Sequence, residues 1–296
     1  MLIVPATAIA GCKVEVTGSL ISPGRTIIRG DRDQINAERG VVYGTIARES
    51  LLLDVYRSLP QANRRPAVML IHGGGMWTGS RLQMEHPAHQ LSQAGYVAFS
   101  VDYRLVDAAT GQHHWPAQLD DVQRAVRWVR AHAEDYGVDP GRIGAYGWSA
   151  GGQLAALLGA RDTRDTTAAI ASYSSRVACV VDLAGDVDLA AYTCPPALHE
   201  VIALLGGTVQ EVPERYRDAS PLTWIDWRTA PFLVIHGDQD DVVPIEQSRR
   251  LVAALQAAEV EVEYVELAEA GHDDLAWDRV GPAVLGFLAR HLHPRF

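Results

Sequence analysis

The chain has 296 residues, of which 48% are hydrophobic and 21% charged, so it is long and apolar enough to bury one large α/β core. Its formal net charge is −10 and Lys13 is its only lysine, which leaves no basic stripe to neutralise a phosphate backbone and argues against nucleic acid as a partner. No apolar run reaches the roughly 18 residues that a membrane-spanning helix needs.

The first residues, MLIVPATAIAGCK, are mostly apolar and small. The segment from Ile9 to Cys12 resembles the cleavage box of a bacterial lipoprotein, whereas the stretch before it is short and lacks the positive charge of an export signal. We interpret residues 1–39 as a leader or extension, and both a cytoplasmic and an exported location stay open.

The three cysteines, Cys12, Cys179 and Cys194, form no CxxC spacing that would indicate a zinc site. If the protein is exported, Cys179 and Cys194 are candidates for a disulfide that joins a strand to a lid. The alternative is two unrelated thiols, one of them in the core.

Strand-like and helix-like segments alternate from residue 40 onward. GVVYGT and LLLDVYRS predict hairpin strands, and the continuous apolar run AVMLIH is typical of a strand buried on both faces. The strand pattern recurs in YVAFSVDY, RIGAYGW, ACVVDL, PFLVIH and VEYVEL. This order predicts an α/β fold, with a mostly parallel doubly wound sheet that begins with antiparallel strands, in one domain over residues 40–296.

The clearest predicted helix runs from Pro116 to about Tyr136. One face of it is apolar and is formed by Leu119, Val122, Val126 and Val129, and three arginines are predicted to lie off that face, namely Arg124, Arg127 and Arg130. Residues 186–228 contain no clear strand and are rich in proline and tryptophan, which predicts a small lid over the sheet edge.

The stretch AYGWSAGGQL places Ser149 in a GxSxG pattern between a predicted strand and a predicted helix. A nucleophile elbow requires this strand, turn and helix, with small neighbours so that the strained turn can close. The helix N-terminus also directs backbone N–H groups toward the hydroxyl. The alternative is a small residue in a tight turn, but the flanking elements favour a nucleophile.

A second motif, IHGGGMWTGS, follows the AVMLIH strand. Three consecutive glycines let the backbone approach a ligand closely and turn N–H groups toward a developing oxyanion. A flexible loop or a phosphate loop is the alternative, but no GK[ST] follows the glycines. The motif therefore predicts an oxyanion-binding loop.

A serine nucleophile needs a base, and the base needs an orienting carboxylate. Among eleven histidines, His272 follows the last predicted strand, and His236 opens the loop HGDQDDVVP. That loop offers three acids, Asp238, Asp240 and Asp241. Five others have plainer interpretations: His113 and His114 fit a polar loop, His132 a helix face, and His291 and His293 a solvated C-terminal helix.

Together these motifs resemble the α/β-hydrolase carboxylesterases of the hormone-sensitive-lipase-like group, and within it the bacterial branch of acetyl-, acetylxylan- and feruloyl-esterase-like enzymes. The resemblance covers nearly all of the chain from Gly40 on, including HGGGMWTGS, GYVAFSVDYRL, HGDQDDVVP and AGH. It implies Ser149 as nucleophile, with Asp240 and His272 completing the triad in the chain order of that fold.

The resemblance also implies an oxyanion hole, whose backbone N–H groups would belong to Gly74, Gly75 and Ala150. Trp77 lies beside the glycine loop and Trp148 beside the serine in the sequence, so both are predicted to line the substrate pocket and to crowd an acyl group. The sequence departs from the branch at Met76, where tryptophan often follows the glycines directly, and this departure bears on the shape of the acyl pocket.

The implied function is a serine carboxylesterase that hydrolyses short-chain acyl esters of small molecules through an acyl-enzyme, with neither a metal nor an organic cofactor. An arylformamidase or another amide hydrolase on the same triad is the alternative within enzymes. A non-catalytic binding module on the same fold is a third interpretation, against which the presence of every triad residue argues.

Overall fold

The computed structural model describes residues 26–29, 35–58, 64–107, 110–162, 170–193 and 197–292. The strands of these residues are β1 (Thr26–Arg29), β2 (Ile35–Ile46), β3 (Glu49–Ser58), β4 (Arg65–Ile71), β5 (Val97–Val101), β6 (Val138–Trp148), β7 (Val180–Leu183), β8 (Phe232–Gly237) and β9 (Val262–Leu267). They form one sheet in the order β1-β2-β3-β5-β4-β6-β7-β8-β9.

The sheet changes from antiparallel to parallel pairing as it crosses the molecule. Strands β1, β2, β3 and β5 pair antiparallel in that order, and every neighbouring pair from β5 to β9 is parallel. The predicted doubly wound sheet with antiparallel strands at its start is confirmed. Because the parallel strands end at the same edge, the loops after β4, β6, β8 and β9 converge there.

Helices cover both faces of the sheet. They are α1 (Glu85–Gln93), α2 (Ala117–Ala131), α3 (Ala133–Tyr136), α4 (Ala150–Ala160), α5 (Ala197–Leu205), α6 (Pro213–Ala219), α7 (Glu246–Ala257) and α8 (Trp277–Leu292). Buried side chains of α1 and α8 belong to one hydrophobic core, and those of α2, α4 and α7 belong to the core on the opposite face. Every residue of α4 is buried, and all of them except Gln153 are apolar.

The predicted helix over residues 116–136 is divided at His132 into α2 and α3. Its apolar face is buried as predicted. The prediction that Arg127 lies off the buried face is wrong, because this side chain is only 2% exposed. Its guanidinium lies 3.0 Å from the Asp162 carboxylate and donates to the Tyr173 carbonyl at 2.9 Å, which pairs the buried charge.

Residues 184–231 connect β7 to β8, and we call them the cap segment. Its described part contains α5, α6 and two short 3-10 helices, Leu189–Ala191 and Pro221–Trp224, and it contains no strand. This segment includes residues 186–228, and the lid predicted there stays a prediction. The domain limit predicted at residue 40 stays a prediction, and β2 runs through that residue.

The cap segment is attached to the sheet domain by polar contacts. The backbone N–H of Trp115 donates to the Leu204 carbonyl at 3.0 Å, at the end of α5. Arg161 forms a 2.9 Å ion pair with Asp218 and lies 3.7 Å from the ring centroid of Trp224. These contacts hold the cap segment against the start of α2 and the end of α4.

Cys12 and Cys194 lie outside the described residues, as do residues 1–25 and 30–34 of the leader or extension predicted over residues 1–39. Cys179 is buried, and burial raises the pKa of its thiol to about 12. Its pairing with Cys194 stays a prediction. Among the described helices, none combines the length and the apolar character that crossing a bilayer requires.

Candidate active site

Ser149 occupies a sharp turn between β6 and α4. Its backbone has φ 57° and ψ −126°, a conformation with positive φ that side-chain-bearing residues rarely adopt. Strain of this kind persists only where the surroundings hold it, and it concentrates at functional sites. The strand, the strained serine and the following helix have the arrangement that a nucleophile elbow requires.

Close backbone packing explains the glycines of this turn. A Cβ at position 147 would lie 2.0 Å from the carbonyl oxygen of Gly151, and one at position 151 would lie 2.1 Å from the carbonyl oxygen of Ile71. At position 152 a Cβ would lie 2.4 Å from the Asp182 carboxylate. These three glycines are therefore required by close contact of α4 with strands β4, β6 and β7.

The structure brings Ser149, His272 and Asp240 into one hydrogen-bonded chain. The Nε2 of His272 lies 2.9 Å from the Oγ of Ser149, and its Nδ1 lies 2.7 Å from Oδ2 of Asp240. Asp240 lies in the loop after β8, and His272 opens the short 3-10 helix His272–Asp274 after β9. An imidazole between a hydroxyl and a carboxylate at these distances can accept the hydroxyl proton.

The three acids of the β8 loop have different surroundings. Asp238 and Asp241 are exposed, whereas the side chain of Asp240 is fully buried. The backbone N–H groups of Val242 and Val243 donate to Oδ1 of Asp240 at 2.9 and 2.8 Å.

Burial alone would raise the pKa of Asp240. Hydrogen bonds from His236, His272 and the backbone nevertheless hold the pKa of Asp240 well below its ordinary value. The site therefore holds a permanent carboxylate behind His272.

The triple-glycine loop after β4 faces the serine. A Cβ at position 73 would lie 3.1 Å from the Cβ of Ser149, so the loop runs directly beside the elbow. Gly74 and Gly75 have φ of 107° and 61°, and the N–H groups of Trp77 and Thr78 donate to the Gly74 carbonyl at 2.9 and 3.0 Å. This turn presents the backbone of Gly74 and Gly75 to the same cleft as Ser149 and Ala150.

A buried histidine, which the sequence analysis did not single out, supports this loop. The ring of His72 is stacked on Tyr103 with 4.2 Å between centroids, and the Tyr103 hydroxyl donates to the His72 carbonyl at 3.0 Å. Burial lowers the pKa of His72, so the imidazole is neutral and binds the Gly73 carbonyl through Nδ1 at 2.8 Å. The pair fixes the start of the glycine loop.

The elbow, the glycine loop and the cap segment enclose a cleft of about 870 Å³. Trp77 and Trp148, which the sequence analysis assigned to the pocket, both line it. The indole N–H of Trp148 donates to the His272 carbonyl at 3.3 Å, so this ring also contacts the loop of the base. Met76 lines the cleft too, although it is almost fully buried.

The cap segment adds cleft residues that no sequence motif indicated. They include Asp186, Tyr192 and Glu200, and the Tyr192 hydroxyl donates to the Asp186 carboxylate. Burial raises the pKa of Asp186. With Asp241 of the loop after β8, the described lining holds three carboxyl groups besides Asp240 and no lysine or arginine.

One group of metal-ligand side chains occurs elsewhere in the described residues, at Glu261, Glu263 and His291. Its charges already have partners, since Arg290 pairs with Glu263, and His291 Nε2 lies 3.5 Å from Glu261.

Comparison with known proteins finds esterases at both the sequence and the structure level. The BD-FAE family model matches residues 53–255. Esterase LipC of Mycobacterium tuberculosis is 36% identical over 82% of this chain and 62% of its own length. The probable carboxylic ester hydrolase LipM of the same organism is 33% identical over 82% of this chain and 57% of its own. The chain thus spans about three fifths of the length of these relatives.

Solved structures share the whole fold. A truncated carbohydrate esterase from gut microbiota superimposes with a TM-score of 0.77 at 26% identity, covering 89% of this chain and 99% of that one. A thermophilic esterase of Thermogutta terrifontis gives a TM-score of 0.75 at 26% identity, covering 92% and 95%. The fold is that of the α/β-hydrolase esterases, as the sequence resemblance implied.

Proposed function

Because the chain belongs to the BD-FAE family of α/β-hydrolase esterases, we propose that it is a serine carboxylesterase that cleaves short-chain acyl esters of small molecules. The observation that carries the proposal is the hydrogen-bonded chain from Ser149 through His272 to Asp240, at 2.9 and 2.7 Å. Ser149 and His272 of this hydrogen-bonded triad line a cleft that is large enough for a small ester.

In the proposed reaction, Ser149 attacks the ester carbonyl while His272 takes its proton through Nε2. The imidazolium that forms is stabilised by the buried carboxylate of Asp240 and then protonates the departing alcohol. Water repeats these steps on the acyl-enzyme and releases the acid. In acylation the proton passes from the serine oxygen through Nε2 of His272 to the alcohol oxygen, and in deacylation it passes from water through Nε2 back to the serine oxygen, while Nδ1 keeps its own proton.

The negative oxygen of the tetrahedral intermediate would be held by the backbone N–H groups of Gly74, Gly75 and Ala150. These groups are fixed by the glycine turn and by the start of α4, so they need no rearrangement as charge develops. Loss of a single donor of this kind typically costs about 10² to 10³ in kcat.

The aromatic rings beside the nucleophile support a preference for short acyl groups. Trp77 follows the glycine turn, and Trp148 precedes Ser149, so both rings lie close to the position that an acyl group would take. A bulky ring at this place shortens the space available for an alkyl chain.

The decisive experiment compares p-nitrophenyl acetate with p-nitroacetanilide, which carry the same acyl group on oxygen and on nitrogen. We expect wild-type protein to hydrolyse the ester, and Ser149→Ala and His272→Ala to abolish that activity. His86→Ala changes an exposed histidine and serves as the matched control. A higher kcat/KM for the anilide would identify an amide hydrolase instead, and activity in Ser149→Ala would refute the assigned nucleophile.

A fluorophosphonate probe provides a test that does not depend on the substrate chosen. An activated serine attacks the phosphorus, fluoride leaves and a stable phosphonyl-serine remains. We expect one adduct per chain by intact mass spectrometry and none in Ser149→Ala. A wild-type protein that forms no adduct and cleaves no ester would support the non-catalytic interpretation.

A further inference from the structure

A second histidine contacts the carboxylate that orients His272. His236, the last residue but one of β8, is fully buried. Its Nε2 lies 3.2 Å from Oδ2 of Asp240, the same oxygen that His272 contacts at 2.7 Å. One carboxylate oxygen thus lies between two imidazoles, of which only that of His272 reaches Ser149.

The neighbours of His236 determine where its proton lies. Nε2 faces two groups that can only accept, the Val243 carbonyl at 2.9 Å and the Asp240 carboxylate at 3.2 Å, so this nitrogen carries the proton. Nδ1 lies 2.7 Å from the hydroxyl of Ser248 on α7, which can donate to it. Ser248 therefore favours the tautomer in which His236 donates toward Asp240.

We propose that His236 is a positioning residue for the reaction, which holds the Asp240 carboxylate in place and withdraws part of the negative charge that this carboxylate offers to His272. This inference rests on the proposed function of the triad. It assigns to a fully buried histidine outside the cleft a part in setting the strength of the catalytic base.

The contacts of Asp240 show why the position of the donor matters. Oδ1 is fixed by the N–H groups of Val242 and Val243, so Oδ2 is the oxygen left to serve His272. A donor on Oδ2 from His236 competes with His272 for the same lone pairs and stabilises the carboxylate independently of the imidazolium. Removing that donor should strengthen the attraction between Asp240 and protonated His272.

Other titratable groups surround this pair. His236 is paired in register with Glu266 of β9, whose carboxylate is bound by Arg249 at 2.9 Å. On β7, Asp182 pairs with Val234, two residues before His236, and therefore lies on the same face of the sheet. Asp186 and Glu200 lie on the cap-segment side of the cleft. These groups are the same in His236→Leu and His236→Gln, and neither new side chain carries a charge, so the difference between the two variants isolates the donor itself.

The test compares His236→Leu, which removes the donor, with His236→Gln, whose amide nitrogen can occupy the place of Nε2. The measurement is an NMR titration of the His272 imidazole, assigned with a His272→Gln sample, together with the pH profile of kcat/KM for p-nitrophenyl acetate. In His236→Leu we expect the titration midpoint and the acid limb of the profile to move up by roughly half a unit to one unit. In His236→Gln both should return toward wild type.

Ser248→Ala is the second variant, since the Leu substitution creates unpaired groups in the core and can prevent folding. It removes the hydroxyl that favours the donating tautomer, so we expect a smaller shift in the same direction. If the titration midpoint of His272 stays at the wild-type value in the folded variants, the inference is wrong, even where activity falls. The NMR readout needs no turnover, so a protein that cleaves no ester would refute the proposed function and still decide this inference.

Discussion

Replacing Asp240 by asparagine tests the proposed catalytic chain at its most constrained point. The N–H groups of Val242 and Val243, at 2.9 and 2.8 Å from Oδ1, would hold the amide oxygen of the new side chain on their side. The amide NH₂ would then occupy the place of Oδ2, 2.7 Å from Nδ1 of His272. Two donors cannot share this contact, so Nδ1 must become an acceptor.

A neutral imidazole whose Nδ1 accepts a hydrogen bond carries its proton on Nε2, and Nε2 lies 2.9 Å from the Ser149 hydroxyl. It can no longer take the serine proton. In serine proteases the equivalent substitution lowers kcat by on the order of 10⁴ through this wrong tautomer, which corresponds to about 5 kcal/mol of transition-state stabilisation. We expect a loss of this size in kcat of Asp240→Asn, with KM little changed.

The assay is steady-state hydrolysis of p-nitrophenyl acetate, with a thermal melt to show that each variant is folded. Asp238→Asn and Asp241→Asn change exposed acids of the same loop and serve as controls. Both should keep kcat near wild type, although Asp241→Asn can alter KM because this residue lines the cleft. A crippled Asp241→Asn beside a nearly silent Asp240→Asn would refute the assignment of the acid.

Three further outcomes are expected. The kcat/KM for p-nitrophenyl esters should fall from acetate and butyrate to the C12 ester, and a rise along this series would contradict the crowding ascribed to the tryptophans. Burial raises the pKa of Asp182 from 3.8 to about 7. Between these two pH values the folded state keeps a proton that the unfolded chain has lost, so the contribution of Asp182 to stability should fall as the pH rises from about 4 to 7. Three pKa units correspond to roughly 4 kcal/mol of folding free energy. Thermal melts between pH 5 and 8 should therefore show a much weaker dependence of stability on pH in Asp182→Asn than in wild type. An unchanged dependence would exclude Asp182 as its source. Gly151→Ala should lower Tm strongly, because the new Cβ would lie 2.1 Å from a carbonyl oxygen. Gly286→Ala on α8 has only an arginine side chain nearby and should raise the free energy of unfolding by about 0.5–1 kcal/mol. Equal effects of the two substitutions would refute the packing argument.

The features that the sequence predicted are those that local chemistry determines. The elbow at Ser149 needs small residues at fixed offsets, and the alternation of apolar strands and amphipathic helices follows from periodicity, so both were visible in short stretches of sequence. The arrangement that brings Asp240 and His272 to Ser149 depends on parallel strands ending at one edge, which the predicted fold already contained.

What the sequence did not predict depends on contacts between distant segments. Arg127 was assigned to the polar side of its helix because its partner Asp162 lies 35 positions away, and helical periodicity carries no information about that pairing. Asp186 and Glu200 line the cleft because the cap segment folds back over it, and no local pattern indicates such a return. The sequence offered both His236 and His272 as candidates for the base, and only three-dimensional contacts distinguish the two residues.

Trp148 gives the site a built-in optical reporter. Its ring centroid lies 5.2 Å from that of His272, and its indole N–H is bonded to the His272 carbonyl. A protonated imidazole quenches indole emission at such short range, so the fluorescence of this one residue should follow the charge on the base. The difference between wild type and Trp148→Phe would separate that signal from those of the other six tryptophans. Emission measured across a pH series would then report on this imidazole without any substrate.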